Sequence, residues 1–162
     1  MLYHILLGGN LGNRLGYFAR AKQLLAQIST IIAESKYYET AAWGVKNQPD
    51  YLNQALAVES DLSPKAFLMA CLQIEDALGR TRLERWGART MDIDLLLAQE
   101  EVWDLPELQI PHPRLHLRRF ALLPLCDIAA EAVHPISNRK IADILAMCTD
   151  TAAVNLFEIT PI

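Results

Sequence analysis

Apolar and polar side chains follow a period of two over residues 51–59, where Leu52, Gln54, Leu56 and Val58 share one side of an extended chain. This period is typical of a β-strand, because successive side chains of a strand point to opposite faces. Apolar, β-branched or aromatic runs predict four more strands, over residues 3–7, 30–38, 91–97 and 154–159. The pattern therefore distributes five strands along the chain.

Helical periodicity and helix signals separate these strands. Apolar residues recur about every 3.6 positions over residues 13–27, which predicts a first helix. Ser63-Pro64 is a typical helix start, since proline is favoured at the first helical position, and the helix is predicted to end before Gly79. Two shorter helices are predicted over residues 119–126 and 141–147. Loops are predicted where glycine or proline interrupts any clean period, over residues 40–50, 80–89 and 103–118.

The resulting order is βαββαβ followed by a tail. Strands adjacent to strands, with two crossover helices, favour an α+β class: a ferredoxin-like sandwich in which an antiparallel sheet carries helices on one face. A chain of 162 residues without internal repeat, low-complexity segment or linker is expected to form one domain over residues 1–162.

Charge is low overall but concentrated locally. The net charge of −4 argues against a general nucleic-acid binder. Seven of the fifteen Lys and Arg residues nevertheless fall between positions 80 and 119, and all seven are arginine: Arg80, Arg82, Arg85, Arg89, Arg114, Arg118 and Arg119. The planar guanidinium suits bidentate phosphate or carboxylate binding, so this cluster favours a local phosphate site; the alternative is a solvated basic face.

The cysteines and the apolar runs indicate the cellular setting. The three cysteines are widely spaced and form no zinc-binding pattern, and Cys71 and Cys148 lie in apolar, helix-like runs where packing explains them. The N-terminal apolar run is short and lacks a basic flank, and no run approaches the length of a membrane span. We therefore expect no signal peptide, no membrane partner and a cytoplasmic location.

Asp92 and Asp94 are the least expected residues of the predicted strand over residues 91–97. Residues i and i+2 of a strand share a face about 7 Å apart, so both carboxylates face one way and Ile93 the other. Two ionised carboxylates beside an apolar core repel each other and lose hydration. Mg²⁺ is a natural compensation, since it is commonly bound by one or two carboxylates together with substrate phosphates. The alternative is a sheet edge where both aspartates face solvent.

The neighbours of this pair favour phosphoryl transfer. Arg89 precedes it, and the preceding loop carries further arginines together with Trp86. Cationic groups beside a metal-binding pair supply the charge neutralisation that phosphoryl transfer requires. His112, held between two prolines, is a further candidate phosphate contact. The glycine-rich turn over residues 8–12 lacks the features of a Walker loop and is interpreted as a tight turn.

Several motifs together resemble those of the 6-hydroxymethyl-7,8-dihydropterin pyrophosphokinase family. The matching strings are GGNLGNR (8–14), YYET (37–40), QPDYLN (48–53), IE (74–75), GR (79–80), RWGARTMDIDLLL (85–97), PHPRL (111–115) and RRFALLPL (118–125). The resemblance implies a ferredoxin-like fold and an ATP-dependent diphosphokinase. Such an enzyme moves the diphosphate of ATP to the hydroxymethyl oxygen of the pterin and leaves AMP, as a step of folate biosynthesis.

The resemblance also implies roles for individual residues. Arg82, Arg89, Asp92 and Asp94 are expected to be catalytic, with two Mg²⁺ ions held by Asp92 and Asp94. The residues expected to contact ATP are Glu75, Arg82, Trp86, Arg89, Ile93, His112 and Arg118. The residues expected to contact the pterin are Thr40, Trp43, Tyr51, Asn53, Asp94 and Phe120, with Tyr51 and Phe120 stacking on its ring.

The chain departs from the family pattern at a few positions, and two other functions compete with this one. Gly9 stands where serine is usual, Pro113 where an aromatic residue is common and Glu107 where an arginine is expected, which affects the contacts to the nucleotide. One alternative is a non-catalytic ferredoxin-like module that binds nucleotides or RNA; the net charge and the paired aspartates speak against it. The other is a metal-dependent phosphohydrolase, which needs the aspartates but no pterin pocket.

Overall fold

A computed structural model describes residues 1–41, 48–79 and 89–161. The strands in these ranges are β1 (Leu2–Gly9), β2 (Thr30–Glu34), β3 (Tyr37–Thr40), β4 (Tyr51–Glu59), β5 (Asp92–Ala98), β6 (Trp103–Leu105), β7 (Leu108–Ile110) and β8 (Val154–Phe157). The helices are α1 (Arg14–Leu25), α2 (Pro64–Ala77), α3 (Arg119–Ala129) and α4 (Ile141–Met147), with a 3-10 turn at Leu115–Leu117. None of the helices described is both long and apolar enough to cross a membrane.

The main sheet has the strand order β5-β1-β4-β3-β8, and β2 also pairs with β4. The pairings between these strands are antiparallel. This arrangement confirms the predicted α+β, ferredoxin-like sandwich. β1 lies between β4 and β5, so it brings residues from distant parts of the chain to one place on the sheet.

Helices cover both faces of the sheet, which corrects the expectation of helices on one face. On the first face α1 and α2 pack on a core in which the Tyr3 and Phe67 rings stack with centroids 4.1 Å apart. On the second face α3 and α4 pack on a second cluster that includes Leu6 and Ala55 from the sheet and Leu122 from α3. The second apolar layer exists because α3 is apolar enough to bury its own side chains against the sheet.

The helix starts follow the sequence signals. The Asn13 side chain accepts a hydrogen bond from the Gly16 amide at 3.0 Å and caps α1, and Ser63 caps α2 immediately before Pro64. Helix α2 therefore begins where Ser63-Pro64 predicts, and α1 begins one residue after the first residue of the predicted helix.

Two stretches differ from the predicted elements. The strand predicted over residues 30–38 is two strands. At Ser35 the Ala55 amide donates to the Ser35 hydroxyl at 2.8 Å instead of to a backbone carbonyl, while the Ser35 amide still donates to the Ala55 carbonyl at 2.9 Å. The region 103–118, predicted as a loop, contains the hairpin β6–β7 and the 3-10 turn. Of the loops predicted over residues 40–50 and 80–89, residues 42–47 and 80–88 lie outside the described ranges.

Candidate active site

The end of β1 lies between polar residues of β4 and β5 on the second face of the sheet. Gly8 pairs with Asn53 of β4 on one side and with Asp92 of β5 on the other. A Cβ atom at position 8 would lie 2.8 Å from the Asn53 Oδ1, closer than such atoms approach, so glycine makes room for that amide. At Gly9 an added Cβ would collide with the Thr90 carbonyl oxygen, so the usual serine of the family has no room here.

Asp92 and Asp94 lie on this face as predicted. Asp92 is opposite Gly8 and Asp94 is opposite Leu6, whose side chain belongs to the second cluster. The Arg89 guanidinium donates to the Asp92 carboxylate and forms an ion pair with it. Arg89 therefore supplies part of the positive charge that the sequence led us to expect from Mg²⁺.

The pKa values of the surrounding cations show which charges lie close to the pair. Burial lowers the pKa of the Arg118 guanidinium, and Asp94 opposes this effect whereas the neighbouring arginines add to it. Burial acts to lower the pKa of Arg89, but the charge and the hydrogen bond of Asp92, together with Tyr51 and Asp94, raise it overall. Arg89 and Arg118 thus both lie within electrostatic reach of the two aspartates, which makes a mixed-charge site suited to a polyphosphate.

Three of the residues predicted to bind the pterin, Thr40, Tyr51 and Asn53, lie near these carboxylates. Thr40 and Tyr51 pair across β3 and β4, and Asn53 is 4% exposed and donates through Nδ2 to the Thr40 Oγ1 at 3.4 Å. Burial raises the pKa of the Tyr51 phenol, Arg89 lowers it and Asp92 raises it, so Tyr51 lies near the ion pair. The strand register therefore gathers this group beside Asp92.

Phe120 lies in the helix layer that covers this same face of the sheet. It lies in the first turn of α3 and packs against the second cluster. The Arg118 guanidinium carbon is 5.6 Å from the centroid of the Phe120 ring. An aromatic ring on α3 and a polar sheet surface are the two walls that a flat heterocycle requires.

His112 is held in one orientation beside β5. Its amide donates to the Leu96 carbonyl at 2.9 Å, and its Nδ1 accepts from the Arg114 amide at 3.1 Å. Burial, Arg118 and Arg114 together lower the pKa of His112 to about 4. The ring is therefore neutral at pH 7, and with Nδ1 accepting, its Nε2 carries the proton and can donate to a phosphate oxygen.

Glu75 and Ile93 lie on the other side of β5. Ile93 has its side chain in the first core, and its amide donates to the Glu75 Oε1 at 2.7 Å. Glu75 is 2% exposed. The structure thus separates these two residues from the carboxylate face, and Glu75 has a clear structural contact in supporting the start of β5.

Three of the predicted residues fall outside the ranges that the structure describes. Arg82 and Trp86, expected to contact ATP, and Trp43, expected to contact the pterin, lie outside the described residues. Within the described ranges, no group of three or more His, Cys, Asp or Glu side chains is arranged to hold a metal ion. A carboxylate pair that shares its ion with substrate oxygens is consistent with this finding.

Asn10 is a buried site residue that the sequence did not single out. It is 1% exposed; its Oδ1 accepts from the Arg89 amide at 2.8 Å, and its Nδ2 donates to the Pro49 carbonyl at 3.1 Å. It therefore ties Arg89 to the segment that enters β4. The available signal was an asparagine in a glycine-rich turn between a strand and a helix, which is typical of a side chain that bonds to backbone groups.

Comparison with known proteins identifies related sequences over most of the chain. A family model described as 7,8-dihydro-6-hydroxymethylpterin-pyrophosphokinase matches residues 4–130. The 2-amino-4-hydroxy-6-hydroxymethyldihydropteridine pyrophosphokinase of Aquifex aeolicus is 36% identical over 137 residues, which cover 85% of this chain and 86% of that protein. The protein of the same name from Bacillus subtilis is 41% identical over 130 residues, covering 79% of this chain and 78% of the relative.

Solved structures share the fold. A Plasmodium falciparum HPPK-DHPS triple mutant superimposes with a TM-score of 0.71 at 16% identity, covering 90% of this chain. Wild-type HPPK-DHPS from the same organism, solved with pterin and p-hydroxybenzoate, gives a TM-score of 0.70 at 16% identity, again covering 90% of this chain. The present chain spans 44% and 42% of the lengths of those two chains. At this level of identity the likeness establishes the fold.

Proposed function

We propose, since the chain belongs to the 7,8-dihydro-6-hydroxymethylpterin-pyrophosphokinase family, that it transfers the diphosphate of ATP to 6-hydroxymethyl-7,8-dihydropterin and releases AMP, in folate biosynthesis. The observation that carries this proposal is the position of Asp92 and Asp94 on the sheet face that also holds Asn53, with Arg89 and Arg118 in electrostatic reach. These carboxylate and guanidinium groups lie on the same sheet face as the buried Asn53 amide, which supports the proposal.

The reaction forms one P–O bond and breaks another. The hydroxymethyl oxygen attacks the β-phosphorus of ATP and loses its proton to solvent, and the bond from the β-phosphorus to the oxygen that bridges the α- and β-phosphorus atoms breaks. The bridging oxygen leaves with AMP, and both terminal phosphates remain on the pterin. The chain's part is to position the two substrates and to neutralise the phosphate charge.

Asp92 and Asp94 are proposed to hold two Mg²⁺ ions, because hard carboxylate oxygens on one strand face suit this cation. Such ions, when bound, neutralise phosphate charge and orient the β-phosphate for attack. The Arg89–Asp92 ion pair orients the Asp92 carboxylate in the free protein. We assign Arg89 and Arg82 catalytic roles, in which positive charge stabilises the negative charge that develops during transfer.

The ATP site is proposed to lie along the edge of the sheet formed by β5, the strand that carries Asp92 and Asp94. Arg89, His112 and Arg118 supply donors for phosphate oxygens, and His112 does so as a neutral Nε2–H. Trp86 and Arg82 are assigned to ATP on the sequence resemblance. Ile93 is proposed to act through its backbone and Glu75 by supporting that backbone, since the Ile93 side chain is in the core.

The pterin site is proposed to lie between Phe120 and the end of β4. Tyr51 and Phe120 offer aromatic faces, and the buried Asn53 offers a donor and an acceptor to the amide-like edge of the heterocycle. Thr40 orients Asn53 through its hydroxyl. Asp94 is assigned to the pterin on the sequence resemblance. Trp43 is assigned to the same pocket on the sequence resemblance.

We propose that residues 1–162 form one pyrophosphokinase domain that acts on these two small molecules and neither on nucleic acid nor at a membrane. The net charge of −4 supports the absence of a nucleic-acid partner. Free thiols at Cys71, Cys126 and Cys148 support a reducing, cytoplasmic location.

The test is AMP release from ATP and Mg²⁺ with and without 6-hydroxymethyl-7,8-dihydropterin. We expect AMP only when the pterin is present. Release of phosphate without the pterin would indicate a phosphohydrolase, and binding of ATP without any turnover would indicate a non-catalytic nucleotide-binding module. Either result contradicts the proposed function.

A further inference from the structure

Helix α3, which carries Phe120, begins with a cap supplied from elsewhere in the chain. Within the described residues, the Arg118 side chain at its N-cap position makes no capping hydrogen bond. The Arg119 amide instead donates to the Asp150 Oδ2 at 3.1 Å, across a sequence separation of 31. Because the first amides of a helix have no partner within it and carry partial positive charge, a carboxylate there stabilises the first turn.

Asp150 also fixes the course of the tail that follows it. Its second oxygen, Oδ1, accepts from the Ala152 amide at 3.0 Å. Strand β8 begins at Val154, which pairs directly with Thr40 of β3. The segment over residues 150–154 therefore runs from the first turn of α3 to the strand end that holds Thr40.

We propose that Asp150 is a positioning residue for the pterin pocket, which sets the separation between Phe120 on α3 and Thr40 on the sheet. This inference rests on the proposed function, and it concerns a residue beyond positions 4–130 that the family model matches. Asp150 acts through Arg119 and β8 rather than by touching the pterin. It follows that the tail helps to position residues of the substrate site.

The rest of α3 is held independently of Asp150, so its loss is expected to act locally. The Tyr38 hydroxyl donates to the Asp127 carboxylate at 2.9 Å, in the last turns of the helix. Leu122 and Leu125 are buried in the second cluster. Removing the Asp150 carboxylate therefore loosens the turn that carries Phe120 while the helix stays in place.

The experiment compares Asp150→Ala and Asp150→Asn with Asn13→Ala in the full chain. Asn13 caps α1 through its side chain, so the control loses the same kind of contact away from α3. Pterin affinity is measured by calorimetry with Mg²⁺ and α,β-methylene-ATP. In this analogue a CH2 group replaces the oxygen between the α- and β-phosphorus atoms, so the diphosphate cannot be transferred. Thermal unfolding reports the stability of each variant, and hydrogen exchange of the Arg119 amide reports the cap itself.

We expect Asp150→Ala to raise the pterin dissociation constant about five- to tenfold. This ratio corresponds to the free energy that the loss of a helix cap typically costs. Asp150→Asn retains an oxygen for the Arg119 amide and should recover most of this loss. Asn13→Ala should lower stability similarly with pterin affinity within twofold of the wild type.

Three results would overturn the inference: unchanged pterin affinity in Asp150→Ala, an equal loss in Asn13→Ala, or Arg119 amide exchange that does not respond to Asp150→Ala. The exchange measurement needs no substrate. Absence of pterin binding in the wild type would instead show that the proposed function has failed, and the inference would fall with it.

Discussion

Replacing Gly8 by alanine tests whether the Asn53 amide recognises the pterin. The new Cβ would lie 2.8 Å from the Asn53 Oδ1, so one of the two atoms must move. The other atoms near the added carbon include the Leu52 carbonyl oxygen at 3.9 Å, an ordinary contact. The substitution therefore acts on the amide and leaves the backbone of β1 in place.

The expected effect on the fold is small and the effect on binding is large. Asn53 can relieve the contact by rotating, and alanine in a strand gains roughly 0.5–1 kcal/mol over glycine. Rotation moves both polar atoms of the amide out of register with the heterocycle, and a buried polar group left unpaired costs about 1–3 kcal/mol. We expect unchanged stability within about 1 kcal/mol and pterin binding weakened by roughly 5- to 150-fold.

A double-mutant cycle separates this effect from a general distortion. Pterin affinity is measured by calorimetry, with Mg²⁺ and α,β-methylene-ATP, for the wild type, Gly8→Ala, Asn53→Ala and the double variant. Asn53→Ala alone should weaken binding by about 1–3 kcal/mol. If Gly8→Ala acts through the amide, it should add little in the Asn53→Ala background. Additive losses, or wild-type affinity in Gly8→Ala, would refute the reasoning.

Three further predictions concern the phosphate side of the site. Asp94→Asn should lower AMP release at saturating Mg²⁺ by at least about 100-fold with the fold intact by circular dichroism, and a near wild-type rate would contradict the metal assignment. Arg89→Ala should lower kcat about 100-fold but the affinity for α,β-methylene-ATP less than tenfold, whereas an affinity loss at unchanged rate would contradict a transition-state role. The pKa of His112 is lowered to about 4, so between pH 6.5 and pH 4 the unfolded chain takes up a proton there that the folded chain does not. The free energy of unfolding measured with urea should therefore decrease as the pH is lowered across this window. The decrease should be larger in the wild type than in His112→Gln by on the order of 2 kcal/mol, and an equal decrease in both proteins would contradict this expectation.

Local signals in the sequence account for the elements that carry the site. The alternation over residues 51–59 matches β4 as observed, and the i, i+2 spacing places Asp92 and Asp94 on one face. Ser63-Pro64 marks the start of α2. These features depend on neighbours in the chain, so periodicity and capping rules are sufficient to predict them.

Features that depend on pairing between distant segments could not be predicted in this way. The position of Gly8 between Asn53 and Asp92 requires the register of two strand pairs, which no local pattern specifies. The capping of α3 by Asp150 and the bonds of Asn10 to Arg89 and Pro49 likewise join segments far apart in sequence. The break at Ser35 was missed because it involves a side-chain bond to β4.

The fate of the two terminal phosphates of ATP tests the central claim most directly. ATP labelled at the γ-phosphate is incubated with Mg²⁺, 6-hydroxymethyl-7,8-dihydropterin and the full chain, and the products are separated. The account predicts that the label appears on the pterin in a one-to-one ratio with unlabelled AMP. Label recovered as orthophosphate, or ADP formed in place of AMP, would contradict transfer of an intact diphosphate.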